Sequence, residues 1–212
     1  MRCGLAFLLF ATSCISQTAA TGKAESYGLC SPAVSGSQNT FTISCGIGEE
    51  QGKKVLANLL DIPVPVVAAV NGPATVHSEY ILLADVVIAT PATVFQDKPH
   101  FAFGIVPGDG IHSLWPEVIG SIRGRTFVLT QQVIAADEAR TLGVVSEIVP
   151  RERLLQRARE IADRIAQLPP LTASYTRVAM TQKLRRLVDE SVGYGLALEG
   201  ISAADVARTQ GR

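Results

Sequence analysis

Between Val66 and Val149 the chain sets apolar runs too short for free-standing helices between segments whose apolar residues recur at helical spacing. Val66 to Val70 is wholly apolar and closes on Asn71-Gly72-Pro73, so it reads as a strand followed by a turn. Ile81 to Ala89 is apolar except for Asp85 and runs from a helix into a buried strand. Val55, Leu56, Leu59 and Leu60 predict a helix stopped by Pro63 and Pro65. Ile111 to Val118, Arg123 to Leu129 and Ala135 to Leu142 predict three more, the last capped by Gly143. Val144 to Val149 reads as a strand. Leu154, Leu155, Ala158, Ile161, Ala162, Ile165 and Leu168 make one face of an amphipathic helix closed by Pro169-Pro170, and Thr172 to Ala207 continues helical. Strands alternating with helices specify an α/β fold, here with a helical C-terminus.

The chain has 212 residues, 47% of them apolar, enough for one domain core. Its net charge is zero and it has no basic run with interleaved aromatics, which excludes the electrostatic footprint of a nucleic-acid binder. No apolar run reaches the roughly 18–20 residues of a membrane-spanning helix, so no membrane association is expected of the mature form. The four cysteines, Cys3, Cys14, Cys30 and Cys45, all lie in the first quarter. Residues 1–20 have a basic start at Arg2, an apolar segment from Gly4 to Ile15 and small residues at Ala19 and Ala20, the pattern of an export signal. Its removal would leave Cys30 and Cys45 to pair, as suits an exported protein. The other reading is an unrelated leader, or a misassigned start, before a cytoplasmic protein. Residues 21–48 are an unassigned Ser/Thr/Gly-rich segment with one β-favouring run at Thr40 to Ser44. The core is expected over residues 49–170 and a separate helical region over 171–212.

All three histidines, His77, His100 and His112, fall within or just beyond Asn71 to Gly110. Imidazole titrates at about 6.5, so two of them beside a carboxylate would suit proton transfer near neutrality. That carboxylate is Asp109, in the turn Pro107-Gly108-Asp109-Gly110. His112 is expected at the surface or packed at a helix start, Trp115 in the core or a pocket wall, and Asp85 in a structural cap or pair. The histidine spacing is not that of a zinc motif, so neither a metal nor any other cofactor is expected.

Pro65 to Gly72, Ile105-Val106-Pro107-Gly108, and the block from Phe127-Val128-Leu129-Thr130 through Ala136-Asp137-Glu138-Ala139 and Leu142-Gly143-Val144-Val145 to Ile148-Val149-Pro150 resemble the crotonase superfamily, the enoyl-CoA hydratase/isomerase fold. The likeness runs from about residue 49 to the C-terminus. It implies a crotonase-like ββα spiral core, N-terminally truncated, with a helical C-terminal trimerisation region. Hydratases carry one catalytic glutamate where Pro99-His100 stands here and a second where Thr126 stands. The loop after Asn71-Gly72 also lacks their glycines, reading Ala74-Thr75-Val76-His77-Ser78.

Phe95 to Phe101, Gly104 to Gly110, Trp115-Pro116 and Arg123-Gly124-Arg125 are instead similar to the β-diketone hydrolases, a branch that includes 6-oxocamphor hydrolase. That resemblance implies hydrolysis of a carbon–carbon bond in a cyclic β-diketone, without metal or coenzyme A, by a homotrimer or hexamer in the cytoplasm. It assigns the site to His77, His100, Asp109 and Glu199. In that scheme Asp109 accepts a hydrogen bond from one nitrogen of His100 and leaves the other to activate water. His77 bonds the second carbonyl, and Glu199 either protonates the carbon leaving group or orients His77. The family's N-terminal half supplies a further histidine and a tryptophan, whereas this chain has no His before His77 and no Trp before Trp115. The other readings implied are a CoA-thioester hydratase or isomerase and an inactive crotonase-fold assembly partner.

Overall fold

The structure, a computed structural model, describes residues 7–10 and 49–210. The expected strand at Thr40 to Ser44, the pairing of Cys30 with Cys45, and all of the leader except Phe7–Phe10 lie outside the described residues.

Four parallel strands form the main sheet, in the order β1 (Phe7–Phe10), β2 (Val67–Val70), β3 (Val86–Ala89), β6 (Glu147–Ile148). Phe7 pairs with Val67, Val67 with Val86, and Ile88 with Glu147. Four residues of the apolar segment from Gly4 to Ile15 thus join the sheet. Side chains alternate along a strand, so the wholly apolar β2 serves two interiors. Ala68 and Val70 join the main core, while Val67 and Ala69 face a smaller cluster with Ile88, Leu154, Ala158 and Ala162. The last three come at every fourth residue along helix α6 (Arg151–Ile165), which covers that side of the sheet.

The main core centres on Trp115, in α3 (Ile111–Ile119), with no exposed surface. Its ring lies 5.8 Å from Phe95, edge-on, and 4.2 Å from Phe127. Phe95 belongs to β4 (Val94–Phe95), antiparallel to β5 (Ile134–Ala135), and Phe127 to α4 (Ser121–Leu129). Helix α5 (Ala136–Thr141) follows, and Gly143 beyond it has φ +79°, the left-handed cap expected from its place after the periodic segment.

Two expectations need correction. Val144 to Val149 pairs as strand only over Glu147–Ile148. Pro170 does not merely stop a helix: it is the first residue of the 41-residue α7 (Pro170–Gln210), a position where the missing N–H costs nothing. Helix α7 is locked to α1 (Glu49–Leu60) by a buried cation. Arg177, with a side chain 1% exposed, bonds Asp85 at 2.8 Å and donates to the carbonyls of Leu59, Leu60 and Leu83. Those groups include the orphan carbonyls at the end of α1, so one guanidinium caps one helix and fixes another. Asp85 also accepts the Val66 N–H at 2.7 Å, the structural pairing expected of it.

Candidate active site

The loop leaving β2 is stitched to β4 and to the residues after it. Ala74 N–H donates to Val94 O at 2.7 Å, Gln96 N–H to Ala74 O at 3.2 Å and Lys98 N–H to Thr75 O at 3.1 Å. These bonds hold the two histidine-bearing loops side by side. His77 then takes a left-handed conformation, φ 51°, ψ 41°, at the start of a 3-10 helix (Ser78–Leu83). Non-glycine residues adopt that conformation only when their surroundings impose it. Here Ser78 accepts the Trp115 indole N–H at 3.0 Å, and the His77 ring stacks on Tyr80 with centroids 4.9 Å apart. His100 sits in the single turn α2 (Pro99–Ala102) and is 7% exposed at its side chain.

Asp109 arrives on the turn before α3. Gly108 in that turn packs backbone to backbone on Gly195 of α7, where a Cβ on either residue would overlap the other. The same contact brings Glu199, one helical turn further, onto the turn. His112, at the start of α3, is half-buried against Gly195, the second of its two expected placements.

All four expected site residues, His77, His100, Asp109 and Glu199, therefore meet, but the pairing differs from expectation. His100 Nδ1 is 2.7 Å from Asp97 Oδ1, so Asp97 fixes its tautomer. Asp109 Oδ2 lies 3.6 Å from His100 Nε2, too long for a hydrogen bond, and 3.0 Å from His77 Nδ1. Glu79 Oε1 approaches that same His77 nitrogen at 3.1 Å. Sequence reasoning missed Asp97 and Glu79. Asp97 stands three residues before His100, a spacing that one helical turn brings onto one face, and Glu79 stands two after His77.

The charges are strongly coupled. Burial alone would weaken the basicity of His77, but hydrogen bonds to Asp109 and Glu79 and their charges raise its pKa from 6.5 to about 10. His100 is likewise disfavoured by burial and raised on balance by the Asp97 bond and the charges of Asp109 and Asp97. Burial would raise Asp109, yet His77 and His100 hold it below the usual carboxylate range. Glu79 is pushed up to about 7 by burial and by the Asp109 charge. Glu199 is raised by the same two causes. The result is a charged His77–Asp109 pair beside His100, whose Nδ1 is tied to Asp97 and whose Nε2 faces the pair. One ligand atom each from His77, Glu79 and Asp109 lie within 4.8 Å of one another, the set among the described residues that could take a metal ion. Thr126, in the place of the second hydratase glutamate, is exposed and bonds Ile122 O at 3.0 Å.

Comparison with known proteins places this geometry in a family. Residues 37–194 match the family model of enoyl-CoA hydratase/isomerase. A probable mitochondrial enoyl-CoA hydratase of Dictyostelium discoideum is 32% identical over 138 residues, 65% of this chain and 50% of that protein. A short-chain-enoyl-CoA hydratase of Clostridium acetobutylicum is 30% identical over 68% of this chain and 55% of its own length. The chain thus spans about half the length of these curated relatives. Among solved structures, a β-diketone hydrolase from the cyanobacterium Anabaena sp. PCC 7120, bound to (S)-3-oxocyclohexyl acetic acid, is 57% identical. It superposes with a TM-score of 0.74 over 75% of this chain and 64% of that one. An enoyl-CoA hydratase/isomerase from Mycobacterium paratuberculosis gives 29% identity and 0.68 over 73% of this chain and 61% of its own. A parallel sheet, a helical C-terminal region and a family match over most of its length thus make this chain a member of the enoyl-CoA hydratase/isomerase, or crotonase, superfamily, close to a β-diketone hydrolase.

Proposed function

We propose that the chain hydrolyses a carbon–carbon bond between the two ketones of a cyclic β-diketone. The observation that carries this reading is the arrangement of His100, tied at Nδ1 to Asp97 and open at Nε2 beside the His77–Asp109 pair. His100 Nε2 removes a proton from water, and the hydroxide adds to one carbonyl. The imidazolium so formed lies 3.6 Å from Asp109 Oδ2, whose negative charge stabilises it. The tetrahedral adduct then breaks the bond to the carbon between the carbonyls, and the electron pair passes into the second carbonyl as an enolate. His77, protonated and held at Nδ1, donates from Nε2 to that oxygen as negative charge gathers on it. The proton on His100 returns to the enolate carbon, with Glu199 as the other group placed to supply it. The products are a ketone and a carboxylic acid within one molecule.

The ligand of the cyanobacterial neighbour supports the substrate class. Joining its acid carbonyl to the ring carbon on the far side of its ketone would make a bicyclic 1,3-diketone, so it has the form such a hydrolysis leaves. The curated relatives, named as hydratases, favour a second reading as a CoA-thioester hydratase. Against it stand a histidine and an exposed threonine where that chemistry needs two carboxylates. The homotrimer or hexamer of the resemblance fits Tyr194 and Ile201, exposed one heptad apart on α7, and sedimentation of the pure chain tests it.

The test incubates the full chain with a cyclic 1,3-diketone and follows loss of ultraviolet absorbance and appearance of the keto acid. Turnover that disappears in His100→Ala and falls in Asp109→Asn supports the proposal. Turnover of crotonyl-CoA alone supports the hydratase, and turnover of neither by folded chain supports an inactive assembly partner.

A further inference from the structure

Glu79 is a fully buried carboxyl that neither the family match nor the proposed chemistry accounts for. It stands in the first turn of the 3-10 helix, and its Oε1 and Asp109 Oδ2 converge on a single ring nitrogen, His77 Nδ1, at 3.1 and 3.0 Å. Its Oε2 is buried and has no hydrogen-bond partner among the described residues. A carboxyl kept in such a place has lost its hydration for one interaction, the grip on His77. Asp109 cannot serve His77 alone, because the same Oδ2 that bonds His77 also faces His100 Nε2 at 3.6 Å. When His100 becomes an imidazolium, that oxygen is shared between two cations, and Glu79 is the group that still holds the first.

We infer that Glu79 is a positioning residue: together with Asp109 it clamps Nδ1 of His77 and so aims the ring's Nε2 toward the carbonyl that becomes the enolate. The Nε2 part of this role rests on the β-diketone reading; the clamp itself does not. The groups that set its charge are Asp109 on the turn before α3 and His77 on its own loop, and its own charge acts on the neighbouring Tyr80. The upward displacement of Glu79 to about 7 agrees with the clamp, since two full negative charges cannot sit at one buried nitrogen without cost. It also lets Glu79 take up a proton when the pair is over-charged.

The experiment compares wild type with Glu79→Gln, which keeps the shape and the accepting oxygen but loses the charge. Nitrogen NMR of the histidine rings is recorded against pH on the full chain, together with kcat and KM for a cyclic 1,3-diketone. Wild-type His77 is expected to keep both ring protons until about pH 10 and the variant to lose one at least one pH unit lower. The variant's kcat is expected to fall about tenfold with KM within twofold, since a charge-assisted bond of this kind is worth roughly one power of ten. A His77 titration that superimposes on the wild type overturns the inference. So does stoichiometric uptake of zinc by the wild type, displaced by a chelator and lost in the variant, because the cluster would then be a cation site. A shifted titration with no diketone turnover by the wild type leaves the clamp standing and removes the proposed reaction instead.

Discussion

Replacing Asp97 by Asn tests the point on which the site's geometry departs most from its sequence. The bond from His100 Nδ1–H to Asp97 Oδ1 is 2.7 Å long, between side chains 7% and 1% exposed. Charge-assisted hydrogen bonds of this kind are worth about 1.5–3 kcal/mol. Asparagine keeps the volume and one accepting oxygen but removes the charge, and its amide can turn a donor toward Nδ1 and force the other tautomer. The lost charge is felt most when His100 carries the proton taken from water. If the whole loss falls on that state, kcat drops by about 10- to 100-fold, at about 1.4 kcal/mol per tenfold, and a flipped tautomer adds to it. The pH profile supplies an independent sign. Burial lowers the basicity of His100 and the Asp97 bond is foremost among the groups raising it, so without the charge its pKa falls. The acid limb of the rate profile must therefore move to lower pH while the plateau drops. The assay is diketone cleavage across pH, with urea unfolding of both proteins to show that the variant is folded. A plateau within twofold of wild type together with an unmoved acid limb would refute the assignment of Asp97 as the group that sets His100.

Further outcomes are expected. Wild-type activity should be bell-shaped in pH. The base must be neutral, which puts the acid limb above the ordinary 6.5, and His77 must be protonated, which puts the alkaline limb at about 10. Stability should fall over the same alkaline range in urea unfolding. Unfolded imidazole has lost its proton above 6.5 while folded His77 keeps its own to about 10, so the unfolded chain binds fewer protons. Glu79 acts in the same sense between 4.5 and about 7. Arg177→Ala should cost about 3–5 kcal/mol in urea unfolding, because it leaves the Asp85 charge without its cation and the Leu59 and Leu83 carbonyls without their guanidinium donor. Removing the partly exposed Arg185–Asp61 pair should cost about 1 kcal/mol or less by the same measurement. Gly195→Ala places a methyl against the Gly108 carbonyl and the His112 ring. It should displace α7 from the Asp109 turn, lowering kcat at least tenfold and thermal stability with it. Wild-type activity in that variant would show that the close approach of α7 is dispensable.

The amino-acid order alone decided what local chemistry can decide. An apolar run bounded by Asn71-Gly72-Pro73 reads as a strand and a turn, and β2 is that strand, buried on both faces, with Ala68 and Val70 on one side and Val67 and Ala69 on the other. The repeat of Leu154, Ala158 and Ala162 had to bury one face of a helix, and Gly143 had to end another. The gathering of His77, His100, Asp109 and Glu199 was legible too, through motif stretches similar to a known branch. Which carboxylate serves which histidine was not. That depends on distances of an ångström, set by backbone bonds between the His77 loop and β4, by a left-handed residue at His77, and by the meeting of Gly108 with Gly195 across 87 positions of chain. Local propensity says nothing about such contacts, because each is made by groups remote in sequence and stabilised only once the core around Trp115 has closed. Tertiary packing therefore gave Asp97 to His100, divided Asp109 between two rings, and buried Glu79 where its side chain, among the described residues, bonds a histidine two residues away.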